Sequence, residues 1–385
     1  MKFSFLTRKN KLKHMVVFSV ETGFVTMSVV NLKADLNEQI VYVAKYPFTF
    51  DESPSGGELV KKVISKIDEA YDDASKNKAV GYINKADVVV LLGSPWNISW
   101  CDRLNYNKDK PFKVNDDVID KVINDAFEHK HQGFRMIGKH VMGYKMNGYI
   151  ISNPIGKTTS SLELCAYVEY APEEIIDQIK SRIVRRTPHS RIYFTTSTFS
   201  AAETIKYFTN TKDFLLILPE SEVTDLVVVR HGIIESTSSI PFGSATLARK
   251  LFNKESATID EAISKTKRFL ASDFGSDELE KLRNDIESVK NDFIKIFRDL
   301  LWKMNETVLL PQDLYIANSG VLAHFIKDWV EKEDYSNEAF TVEGFKVRII
   351  SGKEVAESLA IEESVSSIPF ETISASVIGR YFETK

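Results

Sequence analysis

The sequence predicts an α/β protein made of two related domains, with a small α+β subdomain inserted between them. Its 385 residues exceed the roughly 100–200 residues of one ordinary domain. Strands alternate with helices near the start of the chain and again, in a similar order, after Pro188. Between these regions, polar β runs and a helix interrupt the alternation. Two domains of related topology, with an insertion, explain this order most economically.

The composition is that of an ordinary globular protein, with 43% hydrophobic and 27% charged residues. A formal net charge of −4 gives no overall attraction to nucleic acid, so we expect no nucleic-acid partner. The longest apolar runs fall short of the ~20 residues that a membrane-spanning helix needs. Cys101 and Cys165 lack neighbouring ligands at metal spacing, which argues against a disulfide framework or zinc site and favours a cytoplasmic location.

Residues 1–14 are predicted to form a basic N-terminal tail, because they contain Lys and Arg residues but no acid. Phe3, Phe5 and Leu6 lie among these cations. The tail lacks the apolar stretch of a secretory signal. We interpret it as a solvated tail, and the alternative is a weak contact with a lipid surface.

Residues 15–110 are predicted to form the first subdomain. It begins with three β-rich runs and continues with an amphipathic helix and a strand buried on both faces. The strands are expected at Met15–Val20, Phe24–Asn31, Gln39–Tyr46 and Asp87–Leu92. Gly23 lies in the first break, where a tight hairpin favours a residue without a Cβ.

Residues 111–188 are predicted to form the inserted α+β subdomain, in which Pro172 opens a helix. Residues 189–385 are predicted to form the second domain, with a helical subdomain at about 243–305. His231 and Gly232 are expected to form a hairpin turn in this domain. Its strands and turns repeat the order of the first subdomain.

Three loops have the order and spacing of nucleotide-binding loops. We name them the first loop (Phe18–Phe24), the second loop (Leu218–Leu226) and the third loop (Ile316–Leu322). The second loop continues as VVVRHGIIESTSSIPFGSATLARKL, and the insertion contains the turn Asn153–Gly156. Through these segments the chain resembles the FtsA/PilM group of the actin-like ATPase superfamily, from about Val16 onward. The resemblance implies an actin-like ATPase (ribonuclease H-like) fold with duplicated domains and an inserted small subdomain.

The first loop departs from the pattern of this group. Such loops use glycines, whose bare backbone lets N–H groups approach phosphate, and aspartates that manage the magnesium shell. Here Ser19 replaces the expected acid and Glu21 replaces the expected glycine, while Thr22 and Gly23 remain. A carboxylate therefore stands where phosphate is expected to approach.

The second loop departs further. Leu218 replaces the expected acid, Pro219 removes an N–H donor, and Glu220–Glu222 replace the glycine run. Only Thr224 and Asp225 survive from the pattern. These two could instead make the local hydrogen bonds that Thr and Asp commonly form in turns.

The third loop keeps Gly320, but Asn318 and Ser319 replace small glycines. A carboxylate within ~4 Å of a triphosphate repels it by about 1 kcal/mol in water and by more in a partly dry cleft. We therefore expect no cofactor, with weak binding of ATP and magnesium as the alternative. If a nucleotide binds, the resemblance implies contacts from Thr22, Gly23, Ser221, Thr224, Asp225 and Gly320. Glu21 and Glu220 could alternatively hold a cation directly.

Other residues carry weaker signals. His129, His131 and His140 lie near acids and could form a metal or acid–base site, but a solvated role is the simpler interpretation. Trp96 and Trp100 are interpreted as packing residues, with a partner contact as the alternative.

The resemblance and the altered loops together predict a non-catalytic or weakly nucleotide-binding scaffold. The resemblance implies protein partners in a bacterial cell-division or type IV pilus assembly machine. Self-association of the protein is a further possibility that the sequence leaves open. One alternative is an active Mg-ATP-dependent ATPase or a sugar-kinase-like phosphotransferase, and another is a peptide-binding module. We expect a cytoplasmic protein that can lie at the inner face of the cell membrane. Membrane contact would be indirect or through residues 1–14, because the terminal SASVIGRYFETK lacks a convincing amphipathic helix.

Overall fold

The computed structural model describes residues 14–32, 38–48, 56–77, 80, 83–127, 132–252, 264, 266, 276–318, 320–339, 344–363 and 368–383. The basic tail predicted for residues 1–14 lies outside these ranges, apart from His14. Most of the segment 253–275 in the predicted helical subdomain also lies outside them. Within these ranges, none of the helices combines the length and apolar character needed to cross a bilayer.

The described ranges contain fifteen strands and ten α-helices. The strands are β1 (His14–Val20), β2 (Phe24–Leu32), β3 (Glu38–Pro47), β4 (Asp87–Leu92), β5 (Ile98–Lys113), β6 (Phe134–Met146), β7 (Tyr149–Ile151), β8 (Thr158–Pro172), β9 (Ile192–Thr196), β10 (Phe214–Pro219), β11 (Thr224–Arg230), β12 (Ile233–Ile240), β13 (Asp313–Ala317), β14 (Lys346–Ile350) and β15 (Glu362–Glu363). The helices are α1 (Gly56–Lys76), α2 (Asp116–Phe127), α3 (Glu173–Arg186), α4 (Ser197–Thr209), α5 (Ser244–Phe252), α6 (Ser276–Asn305), α7 (Val321–Glu331), α8 (Ser336–Ala339), α9 (Gly352–Ser358) and α10 (Phe370–Glu383).

The first sheet has the strand order β15-β3-β2-β1-β4-β9. β1, β2 and β3 form an antiparallel meander, and β4 and β9 add to β1 in parallel. All six residues of β4 are buried, which confirms the prediction of a strand covered on both faces. α1 and α3 cover one face of this sheet, and α4 and α10 cover the other.

The second sheet has the order β12-β11-β10-β13-β14 and repeats the design of the first. β10, β11 and β12 form an antiparallel meander, and β13 and β14 extend it in parallel. The predicted turn between β11 and β12 is confirmed, since His231 and Gly232 adopt φ values of 54° and 76°. α5, α6 and α7 pack their apolar residues on one face of this sheet.

The third sheet, with the order β5-β8-β6-β7, is antiparallel and carries α2. It begins at Ile98 and ends at Pro172, so its limits differ from the predicted insertion of residues 111–188. β5 is a long strand whose second half is largely exposed, and an exposed strand lacks the apolar pattern that would mark it in the sequence. After this sheet the chain returns to the first sheet through β9.

The first and second sheets share a hydrophobic core. It joins residues of β1 and β4 to residues of β10 and β11, with α4 and α10 between them. The C-terminal segment is helical as α10, but Gly379 packs against Met15 and the Thr372 hydroxyl bonds Ser28 at 2.7 Å. This helix lacks an amphipathic pattern because the protein itself covers its apolar residues.

Candidate functional site

The first and second loops contact each other directly. A Cβ on Gly23 would collide with Ser221 Oγ and lie 3.1 Å from Ser221 Cβ. Gly23 does not adopt the left-handed conformation, so this position needs a glycine for space rather than for turn geometry. The hydrogen bond from Glu21 N–H to the Phe24 carbonyl, at 3.1 Å, closes the first turn.

Glu220, in the second loop, packs against the backbone that follows β4. A Cβ on Gly93 would lie 2.9 Å from Glu220 Cδ and would collide with its carboxyl oxygen. The Glu220 side chain is 5% exposed, and its Oε2 has no hydrogen-bond partner among the described residues. The two loops and the segment at Gly93 therefore form one continuous contact between the sheets.

Asp225 is held at the base of this contact by two hydroxyl groups. Ser94 Oγ donates to Asp225 Oδ2 at 2.7 Å, and Ser239 Oγ donates to Asp225 Oδ1 at 2.6 Å. Burial raises the pKa of Asp225 to about 6, while the two hydroxyl donors act in the opposite direction. The carboxyl group is thus mostly ionised at neutral pH in spite of its burial.

Three glutamates bring further carboxyl groups to the loops. Burial, and to a smaller extent the nearby Glu371, raise the pKa of Glu21 to about 8. Burial, Glu21 and Asp225 raise the pKa of Glu220 well above its usual value. Burial also raises the pKa of Glu371, against the opposing charge of Lys45. Because burial disfavours the charged form and neighbouring carboxylates add repulsion, this cluster retains protons at neutral pH.

Lys45 supplies positive charge from β3. It lowers the pKa values of Glu21 and Glu371, and its Nζ lies 3.4 Å from the ring centroid of Phe24. The Ser221 backbone likewise donates a hydrogen bond that lowers the pKa of Glu21. The protein's own groups therefore partly compensate the charge of the cluster.

The structure brings the predicted site residues of the first two loops together. Thr22 is 9% exposed, and its hydroxyl has no hydrogen-bond partner within the described part of the chain. Thr224 donates to the Phe242 carbonyl at 2.7 Å. Thr224 thus bonds a backbone carbonyl, but one that lies 18 residues further along the chain. The partners of Asp225 are side chains, and Ser94 lies 131 residues away, so the bonds are not the local turn bonds of the alternative interpretation.

The third loop adjoins the second. The Gly320 N–H donates to Asn318 Oδ1 at 2.8 Å at the start of α7. Asn318 Nδ2 in turn donates to the Pro219 carbonyl at 3.4 Å. Gly320 itself is exposed, so it lies at the margin of the loop contact.

One of the three glutamates expected to face phosphate points elsewhere. Glu222 is half-buried and forms an ion pair with Arg249, whose Nη1 lies 2.9 Å from Glu222 Oε1. Glu371 joins the carboxyl cluster instead. Its place there is not predictable from local sequence, because α10 approaches the loops from the far end of the chain.

Ser94, Ser239 and Lys45 were also missed. Gly93 and Ser94 directly follow the buried strand β4, and that position at the end of a central strand was the available signal. Ser239 belongs to β12 and faces Asp225 across the hairpin, where the two residues are register partners. Only the pairing of strands places these side chains beside the loops.

The interpretation of His140 as a solvated residue is wrong. His140 is 3% exposed, its Nε2 lies 2.8 Å from Glu169 Oε2, and its ring stacks on Phe199. The solvated interpretation failed because β6 packs against β9 and α4, which a charged local sequence does not reveal. His129 and His131 lie outside the described residues.

The two tryptophans and the two cysteines singled out in the sequence have different environments. Trp96 is buried at 7% exposure, as the packing interpretation predicted, whereas Trp100 is 38% exposed. Cys101 and Cys165 are free thiols. Among the described residues, no group of three or more His, Cys, Asp or Glu is arranged to hold a metal ion.

Comparison with known proteins identifies the fold. No family model and no curated protein matches the sequence. A solved structure of the "PilM-PilN type IV pilus biogenesis complex" matches with a TM-score of 0.60 and 11% identity, over 94% of each chain. Two further solved structures match more loosely. MreB 5 of Spiroplasma citri has a TM-score of 0.46 and 11% identity, over 97% of this chain and 98% of that chain. EutJ of Carboxydothermus hydrogenoformans has a TM-score of 0.46 and 11% identity, over 92% of this chain and 91% of that chain, and neither structure adds to the assignment. The chain therefore has the actin-like ATPase fold, as its sequence predicts.

Proposed function

We propose that this protein is a non-catalytic scaffold, which acts through protein partners in a bacterial cell-division or type IV pilus assembly machine. The observation that carries the proposal is the direct contact between the first and second loops. Ser221 touches Gly23, and Glu220 fills the space above Gly93. These side chains occupy the place where the resemblance expects the phosphates of a nucleotide.

The groups at this contact also oppose a bound phosphate. Phosphate loops bind anions through free backbone N–H groups, but the Ser221 backbone bonds the Glu21 carboxyl, and Pro219 has no N–H. Glu21 and Glu220 are buried at this contact, and whichever fraction of them is ionised repels the phosphate. Nucleotide binding would therefore require the loops to separate and the glutamates to leave.

The two residues retained from the ATPase pattern have other roles here. Thr224 bonds the Phe242 carbonyl, and Asp225 accepts hydrogen bonds from Ser94 and Ser239. An active ATPase would need these side chains for magnesium and phosphate. Their present partners favour a structural role, and so they favour the scaffold over the ATPase or phosphotransferase.

Protein partners are proposed from the fold and from the resemblance. The structure that matches with a TM-score of 0.60 is a PilM-PilN complex, so a protein of this fold is found bound to a partner. We extend this mode of action to the present chain and propose a cytoplasmic scaffold at the inner face of the membrane. Residues 1–14 or a membrane-bound partner would bring it there, and self-association of the scaffold is part of the proposal.

The nucleotide experiment uses the purified full-length chain. We expect its melting temperature to be unchanged by millimolar Mg-ATP, because a ligand that binds the native state raises that temperature. We expect ATP hydrolysis no faster than that of Asp225→Ala. The matched control is Asp117→Ala, since Asp117 is an exposed acid of α2. Magnesium-dependent hydrolysis that Asp225→Ala abolishes and Asp117→Ala preserves would establish the ATPase instead.

The partner experiment uses tagged chain expressed in its native cell. We expect components of the division or pilus machine to be enriched over a tagged control protein after cross-linking and purification. A matched chain without residues 1–14 is compared by sedimentation with anionic liposomes. Failure to enrich any component of either machine would contradict the assignment of the partners. In the sedimentation experiment, equal binding of the full-length chain and the chain without residues 1–14 would exclude these residues as a membrane anchor.

A further inference from the structure

A cavity of about 270 Å³ opens beside Asp225. All three sheets border it. Ser94 stands at the end of β4, Ser99 belongs to β5 of the third sheet, and Thr237 and Ser239 belong to β12 of the second. Binding sites occur preferentially where structural units meet, and this position is such a junction.

The cavity is lined mostly by residues with hydroxyl groups, and none of the described lining residues is positively charged. Ile98 is the only apolar residue among the described residues that line it, and six of the others are serines or threonines. None of the lining residues is Lys, Arg or His. A phosphate or carboxylate ligand would find no countercharge there and would face the Asp225 carboxylate, so the wall disfavours anions.

The hydrogen bonds within the wall leave acceptor atoms on residues that line the cavity. The hydroxyl groups of Ser94 and Ser239 donate their protons to Asp225. The lone pairs of each hydroxyl oxygen therefore remain available to accept a hydrogen bond. Asn97 Nδ2 donates to the Leu92 carbonyl at 2.8 Å, which leaves its side-chain oxygen as an acceptor. A ligand that matches this wall must supply several hydrogen-bond donors.

The wall also offers donors. The hydroxyl oxygens of Ser99 and Thr237 are 3.4 Å apart, at the long limit of a hydrogen bond, and the Ser99 hydroxyl also bonds Tyr167. The Thr237 hydroxyl is therefore the donor that a ligand can engage most readily. A hydroxyl-rich ligand both donates and accepts, and it matches such a mixed wall. An organic cation is matched less well, because the two hydroxyl donors already stabilise the charge of Asp225, the only charged residue among the described residues that line the cavity.

We infer that this cavity binds a small, neutral, polyhydroxylated molecule of monosaccharide size. Its volume lies just below the ~300–1,000 Å³ of sites for drug-sized ligands and equals that of about nine water molecules at ~30 Å³ each. Such a ligand bonds Ser99 on the third sheet and Ser239 on the second at once. Its binding stabilises the arrangement of these sheets, and it is independent of the scaffold role proposed above.

Isothermal titration calorimetry and ligand-detected NMR test the inference on the full-length chain. The neutral probes are D-glucose, D-ribose and myo-inositol, and the charged probes are glucose 6-phosphate and putrescine. The cavity variant is Thr237→Val, which removes a hydroxyl while conserving shape. The matched control is Thr158→Val, at an exposed threonine of β8.

We expect saturable binding of at least one neutral probe. Its affinity should fall about tenfold in Thr237→Val, the effect of one lost hydrogen bond, and should not change in Thr158→Val. The inference is overturned if no neutral probe saturates, if only a charged probe binds, or if Thr237→Val binds as tightly as the parent. Thermal melts check that Thr237→Val is folded, and Ser99→Ala replaces it if it is not.

Discussion

Ser94 donates a hydrogen bond of 2.7 Å to the buried carboxylate of Asp225. Ser94 follows β4 of the first sheet and Asp225 lies in β11 of the second, so this bond joins the two halves of the molecule. Asp225 also accepts a hydrogen bond from Ser239 and borders the polar cavity. Asp225, for which the resemblance implies a contact with a bound nucleotide, thus links the loop contact to the cavity.

Ser94→Ala should destabilise the protein by about 1–3 kcal/mol, because it leaves a buried charged acceptor with one donor fewer. The same loss should raise the pKa of Asp225, since hydrogen bonds to the ionised form lower it. Urea unfolding near neutral pH measures the change in free energy. Ser160→Ala is the control, since Ser160 is exposed and its bond to Asn147 is a long 3.4 Å. A loss of stability no greater than that of the control would show that the bond contributes nothing.

Gly23→Ala should destabilise the protein by about 1–3 kcal/mol, the usual cost of overpacking a filled site. The added methyl group collides with the Ser221 side chain. Ser221→Gly removes that side chain, so the double variant should regain most of the lost stability. A double-mutant cycle by urea unfolding measures this coupling. Independent, additive effects of the two changes would contradict direct contact between the loops.

The geometry of the loops was predictable because hairpins follow local signals. Leu218, predicted to replace the expected acid of the second loop, and Asp225 are register partners in β10 and β11. The Leu218 side chain belongs to the shared core. Pairing within a hairpin depends on a few neighbouring residues, all of which the sequence displays together.

The composition of the carboxyl cluster was not predictable in the same way. Glu222 was expected beside phosphate, but a cation on α5, Arg249, turns it away. Glu371 takes its place from a helix that ends the chain, and only tertiary packing brings it to Glu21. Sequence spacing alone gives neither the partner of a flexible side chain nor the neighbours of a distant helix.

Glu21 should make the protein less stable as the pH rises. Its pKa is about 8 in the folded protein against a usual value of 4.5, so its contribution to stability is complete below about pH 4.5 and is lost as the pH rises through about 8. Each unit of this shift corresponds to about 1.4 kcal/mol. Glu21→Gln removes the ionisable group and should be more stable than the parent at about pH 9 but not at about pH 5.

Urea unfolding of parent and Glu21→Gln across this pH interval measures the effect. The control is Glu222→Gln, since Glu222 pairs with Arg249 and is only half-buried. We expect the control to follow the parent in its pH dependence. Parallel pH profiles for the parent and Glu21→Gln would contradict a protonated Glu21 at the loop contact.

Glu169 should be the most sensitive acid at the junction between the third sheet and α4. It is fully buried and accepts hydrogen bonds from the Thr196 N–H at 2.7 Å, from the Thr196 hydroxyl at 2.6 Å and from the Thr195 hydroxyl at 3.0 Å. His140 Nε2 lies 2.8 Å from its other oxygen. A carboxylate suits this position because every group around it can donate.

Glu169→Gln keeps the shape but turns one acceptor oxygen into an NH₂ donor that faces other donors. We expect a loss of about 1–3 kcal/mol in the free energy of unfolding, the cost of leaving buried polar groups unsatisfied. Glu163→Gln is the matched control on the same strand, because Glu163 is partly exposed and pairs with Lys145. Hydrogen exchange at the start of α4 should accelerate only in Glu169→Gln, since Thr196 caps that helix. Equal stability of the two variants would mean that the carboxylate does not hold α4 to the third sheet.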